Sequence, residues 1–134
     1  MYPIDKTISL LVALVFIINV IKAQEKDLGP HGGRLKKVDG YKIECLGCDN
    51  YIEIYLFDSD TNAISNKEIS GNVEFIYNEQ AALISPLVHY GMDGFTAKIP
   101  VGTFLYYKPS LMFNGRLLVT GKFENECSAS IGRN

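Results

Sequence analysis

The side chains best suited to chemistry are few and mostly soft donors. The chain holds three cysteines (Cys45, Cys48 and Cys127) and two histidines (His31 and His89), with Met92 beside a glycine turn. Cys45-Leu46-Gly47-Cys48 is the most specific spacing among them. A redox dithiol places its first thiol at a helix N-terminus, where the dipole lowers the thiol pKa, and no helical period surrounds this pair. A metal knuckle aims two sulfurs at one ion from a tight turn, which Leu46-Gly47 permits. A structural disulfide from Cys45 or Cys48 to Cys127 is the third reading, suited to an oxidising compartment. The odd count leaves one thiol over in any pairing, and the spacing does not choose between the three. Thiolate, thioether and imidazole together are the donors that soft ions such as Cu(I) favour, and thiolate with imidazole also suits zinc. Cys45, Cys48, Cys127, His31 and His89 are therefore the candidate ligands for copper or zinc.

Nothing in the sequence spells out catalysis. Neither G-x-S-x-G nor H-E-x-x-H spacing occurs, so no nucleophile, base and orienting group are assembled locally. Asp58, Asp60 and Asn62 alternate like the start of a calcium loop, but the required Gly and Glu are replaced by Ala63 and Ile69. The expectation is a domain that binds rather than catalyses.

The elements that must position these groups follow a leader. Residues 1–23 combine a short charged start, an apolar run over Thr7–Ile21 and a small residue at Ala23. That pattern reads as an export signal cleaved after Ala23, with the run shorter than the ~20 residues of a spanning helix. The remaining 111 residues suit one domain in the periplasm or outside the cell, meeting the membrane only through the signal. The whole chain has 13 Lys and Arg against 15 Asp and Glu, and loss of the leader leaves 11 against 14. The basic residues are scattered singly, which argues against a nucleic-acid partner.

Past a polar, glycine-rich segment over 24–37, short β-branched and aromatic runs alternate with turn residues. Strands are expected over Val38–Cys45, Tyr51–Asp58, Ile69–Tyr77, Ala81–Tyr90, Phe95–Ile99, Phe104–Phe113 and Arg116–Glu124. Pro86 suits an edge strand or bulge, Pro109 predicts a bend or break, and Asn114-Gly115 is a strong hairpin turn. The eight tyrosines read as core and rim. About seven strands with no helix to cover a sheet predict an all-β, immunoglobulin-like two-sheet sandwich over 38–124, with a small open barrel as the alternative and a loose tail over 125–134.

Gly29-Pro30-His31-Gly32-Gly33, Gly40-Tyr41-Lys42-Ile43-Glu44 and Ile54-Tyr55-Leu56-Phe57-Asp58 occur in an order that resembles small exported proteins of Bacteroidetes-type bacteria. The order is similar to segments beside heavy-metal efflux adaptor proteins. Ile69–Val73, Asp93-Gly94-Phe95 and Asn114-Gly115 extend the resemblance over nearly all of 24–134. The resemblance implies a periplasmic or secreted sandwich handling copper or another heavy metal, with envelope or efflux-system proteins as partners. It singles out His31 and Glu44, and the chain departs from it at Cys45–Cys48. The expected function is thus an exported metal-binding domain, or alternatively an envelope interaction module held by a disulfide.

Overall fold

A computed structural model describes residues 27–47 and 49–125 of the chain. The leader, Cys48, Cys127 and the expected tail beyond Asn125 lie outside the described residues. Ten strands form: β1 (Arg34–Val38), β2 (Tyr41–Leu46), β3 (Tyr51–Phe57), β4 (Ile69–Asn78), β5 (Ala81–Pro86), β6 (Val88–Tyr90), β7 (Gly94–Lys98), β8 (Tyr106–Phe113), β9 (Arg116–Thr120) and β10 (Phe123–Glu124). They make two antiparallel sheets, ordered β1-β2-β3-β7-β6 and β10-β8-β4-β5, with β9 beside β8. The expected two-sheet sandwich is what the chain forms.

Ten strands arise from the seven expected runs with one addition and two interruptions. The addition is β1, which pairs with β2 across an Asp39-Gly40 turn whose residues both have positive φ (49° and 83°). That is the geometry of a tight two-residue hairpin, and it replaces the continuous strand expected from Val38 onward. The first interruption is at Leu87, where the 81–90 run leaves the second sheet as β5 and joins the first as β6. Pro86 stands at the end of an edge strand, as its missing N–H requires.

The second interruption explains how Pro109 is tolerated within an unbroken β8. The N–H and C=O of one strand residue point to the same neighbour. Gly121 N–H donates to the Pro109 carbonyl at 3.1 Å, so the face of Pro109 that lacks a donor is turned toward β9 and β10. Ladder pairing stops there: β9 ends at Thr120 and β10 resumes at Phe123 on the same edge of β8.

Between the sheets, alternate residues of each strand meet in one core. Ile43, Ile52, Ile54, Leu56 and Phe95 come from the first sheet, and Val73, Phe75 and Leu111 from the second; all are fully buried. Phe75 sits at the centre of an aromatic cluster, edge-on to Phe104 at 5.0 Å and tilted against Tyr107 at 5.9 Å. Lys36 closes one side of the sandwich, its ammonium bonded to the Lys122 carbonyl and 5.0 Å from the centre of the Phe123 ring. Phe75→Ala is expected to lower unfolding free energy by about 3–5 kcal/mol, measured by chemical denaturation.

Candidate functional site

On the outer face of the first sheet, a carboxyl group is buried, and no lysine or arginine among the described residues is paired with it. Strand alternation sends Ile43 and Cys45 inward and Glu44 outward, opposite Tyr55 in the β2–β3 register. An outward carboxylate would ordinarily be solvated, yet Glu44 is fully buried. The Gly29–Gly33 loop lies over it. His31 N–H and Gly33 N–H both donate to Glu44 Oε2, at 2.9 and 2.8 Å. His31 Nδ1 donates to Oε1 at 2.8 Å. Both carboxylate oxygens are thereby occupied, and the imidazole is fixed with Nδ1 protonated and Nε2 directed away from Glu44.

Two glycines make this cover possible. A Cβ on Gly29 would stand 2.3 Å from Glu44 Cδ, and one on Gly33 would stand 2.7 Å from the Cys45 carbonyl oxygen. Any side chain at either position would lift the loop from the sheet. Gly29 N–H donates to the Gly33 carbonyl at 2.8 Å, closing the loop on itself. The His31 ring then stacks on Tyr55, with centroids 3.6 Å apart and planes 9° from parallel. Tyr55 and Phe57 are consequently buried although they face away from the core.

The sequence-derived ligand set is not gathered here. His31 and Glu44 meet, but Glu44 is fully buried beneath the loop and its carboxylate already accepts three hydrogen bonds from it. Cys45 faces the opposite side of the same strand and is a free, buried thiol. Burial pushes its thiol well above the ordinary cysteine range, and a hydrogen bond with Tyr107 only partly opposes this. A thiolate ligand at Cys45 is therefore at odds with its place in the core. His89 lies on β6 and donates from Nε2 to the Ile69 carbonyl of β4 at 2.7 Å, tying one sheet to the other. Cys48 and Cys127 are outside the described residues. Among the described residues, no group of three or more His, Cys, Asp or Glu side chains is placed to hold a metal.

A second feature of this face escaped the sequence reading. A groove of about 330 Å³ is lined by Gly47, Asp49, Asn50, Tyr51, Glu53, Tyr90 and Thr96. The register builds it: Glu53, Thr96 and Val88 form one row across β3, β7 and β6, and Tyr55, Gly94 and Tyr90 form the next. Thr96 is short beside Tyr51, Glu53 and Tyr90, so the floor over β7 sinks there, whereas Gly94 in the next row is buried against the Tyr55 ring. Tyr51 and Tyr90 remain about half exposed (55% and 51%). Asp49 and Glu53 contribute carboxylates, and no Lys or Arg is among the described residues of the lining; Lys98 stands opposite Tyr51 in the register, outside it. The neighbouring Tyr55 phenol is pushed up, first by burial and next by Glu53.

Comparison with known proteins adds no relative: no family model, no curated protein and no solved structure matches this chain.

Glu44→Gln preserves shape but turns an amide NH2 toward the loop's donors, and is expected to destabilise the fold by about 2–3 kcal/mol, with faster proteolysis near residues 27–33. His31→Ala removes one donor and the stack, and is expected to cost about 1–2 kcal/mol. Stability should also fall at alkaline pH. The Cys45 thiol stays protonated in the fold but ionises on unfolding above a pKa of about 8.5. Each further pH unit then removes up to about 1.4 kcal/mol, and Cys45→Ala flattens that slope in denaturation measured against pH.

Proposed function

We propose that this chain is an exported, non-enzymatic binding domain, periplasmic or secreted, whose binding face is the outer surface of the β1-β2-β3-β7-β6 sheet. The observation that carries the reading is the groove beside the latched loop. Its exposed rings, Tyr51 and Tyr90, flank Glu53 on a floor lowered at Thr96. Phenol faces and carboxylates attract the same chemistry, a cation with some apolar surface. An ammonium or guanidinium group of a small molecule or of a basic side chain fits this lining, and an anion would face Asp49 and Glu53 unaided. The Glu44–His31–Tyr55 latch supports this use by holding the adjacent sheet face rigid, so the groove is formed before ligand arrives.

A second reading keeps the metal expectation in a narrower form. An imidazole whose Nδ1 is held by a carboxylate is the arrangement in which metal-ligating histidines commonly stand, and His31 has it. On that reading His31 contributes a single nitrogen to copper or zinc, with Glu44 orienting the ring rather than touching the ion.

Titration with tetramethylammonium and with lysine amide, followed by NMR shifts of the tyrosine rings, tests the first reading. Saturable shifts at Tyr51 and Tyr90 are expected, weakened about tenfold by Tyr90→Ala and by Glu53→Gln; no saturable shift with either probe would refute it. Zn(II) and Cu(I) titrations of the reduced protein test the second, which requires binding that His31→Ala abolishes.

A further inference from the structure

The two sides of the sandwich treat their strand edges differently. On one side β1 carries Arg34, Lys36 and Lys37, while β9 and β10 carry Arg116 and Glu124 with Lys122 between them. Charges of this kind keep an edge from pairing with other chains. The other side is formed by β5 and β6, and from Ala81 to Met92 there is no Asp, Glu, Lys or Arg. Leu83 is 50% exposed and Ile84 64%.

The register shows which backbone groups this edge offers. Leu87 N–H donates to the Gly71 carbonyl, so Gly71 and Leu87 are a hydrogen-bonded pair. Hydrogen-bonded pairs alternate along an antiparallel ladder. Val73–Ser85 and Phe75–Leu83 are then the next such pairs, and Ala82 and Ile84 turn their N–H and C=O groups away from β4. The same parity turns the N–H-less side of Pro86 outward. Among the described residues, the groups of this edge left without a partner strand are therefore those of Ala82 and Ile84, placed symmetrically about Leu83.

We propose that β5 pairs with β5 of a second copy of this chain, antiparallel and two-fold symmetric about Leu83. In this arrangement Ala82 of each copy faces Ile84 of the other, and each such pair exchanges both N–H···O bonds. The two Leu83 residues meet at the axis. Leu83 lies opposite Phe75 and so on the core side of its strand, which places its exposed half at the open rim of the core, where a second leucine covers it. The ends of the ladder also match. Pro86 falls opposite Gln80 of the second copy; Pro86 has no N–H, and Gln80 N–H already donates to Asn78 Oδ1 at 2.8 Å. No donor is stranded at either flank, a fit that an arbitrary strand would not provide. The contact is isologous and closes on itself.

Sedimentation of the purified protein over a wide concentration range tests the pairing, together with oxidation of Leu83→Cys. The paired Cα atoms of a non-hydrogen-bonded position lie about 4.5 Å apart, within disulfide reach. A reversible dimer is expected, shifted to monomer by Ile84→Lys. A cross-linked Leu83→Cys dimer is expected above the level of the unsubstituted protein and above Leu117→Cys on the opposite side. Circular dichroism reports that each variant is folded. The cross-link decides where association is too weak to sediment. A Leu83→Cys yield no greater than that of Leu117→Cys would overturn the proposal, as would a dimer that Ile84→Lys leaves unchanged.

Discussion

The placement of one carboxylate governs the outer face of the first sheet. Strand alternation forces Glu44 outward wherever Ile43 and Cys45 go inward, and the loop above removes it from water. A bare carboxylate in that position would cost several kcal/mol. The chain meets the cost with two backbone N–H groups and an imidazole, all from the Gly29–Gly33 loop. This single requirement explains the composition of the loop. Glycine stands where the loop touches the sheet, histidine where a third donor and a ring to cover Tyr55 are needed. Sheet and loop are each incomplete alone, since the loop lacks its acceptor without Glu44 and the carboxylate lacks its solvation without the loop.

That latch also divides the face into two regions of different character. Around Glu44, Tyr55 and Phe57 the side chains are immobilised and covered. Around Tyr51, Glu53 and Tyr90 the surface is open, and among the described residues its rings and carboxylates have no partner of comparable quality. Rigid cover beside an unfilled depression is the usual relation between support and binding surface in sites built on strands. His89 and Lys36 play related supporting parts at the two sides of the sandwich, each satisfying a carbonyl outside its own strand.

Much of the architecture was legible because it rests on local rules. Each of the seven expected runs contains a strand, the Asn114-Gly115 turn has the positive φ values that its residues favour, and Pro86 marks an edge. β1 was missed because Lys36 and Lys37 made the segment look like solvated coil; the Asp39-Gly40 dipeptide was the signal that could have exposed the hairpin. Burial of Tyr55 and Phe57 could not be read from β3 alone, since it depends on a loop some twenty residues earlier in the chain. Within the described residues, Cys45 does not join Glu44 beside His31, for a simple geometric reason. Glu44 and Cys45 are adjacent in sequence, so a strand puts them on opposite faces, and no spacing argument that ignores alternation can bring both to His31. The groove was invisible for the converse reason: Glu53, Thr96 and Tyr90 come from three strands and meet only through their register.

The passage of one continuous run through Leu87 has a consequence for how the molecule comes apart. Because β5 belongs to one layer and β6 to the other, with Ser85 Oγ donating to the Lys98 carbonyl across the gap, separating the layers tears the margins of both ladders at once. Neither layer is a subunit that can melt while its neighbour persists. Heat or denaturant should therefore meet a single cooperative block, without a half-dismantled form that exposes one bare sheet.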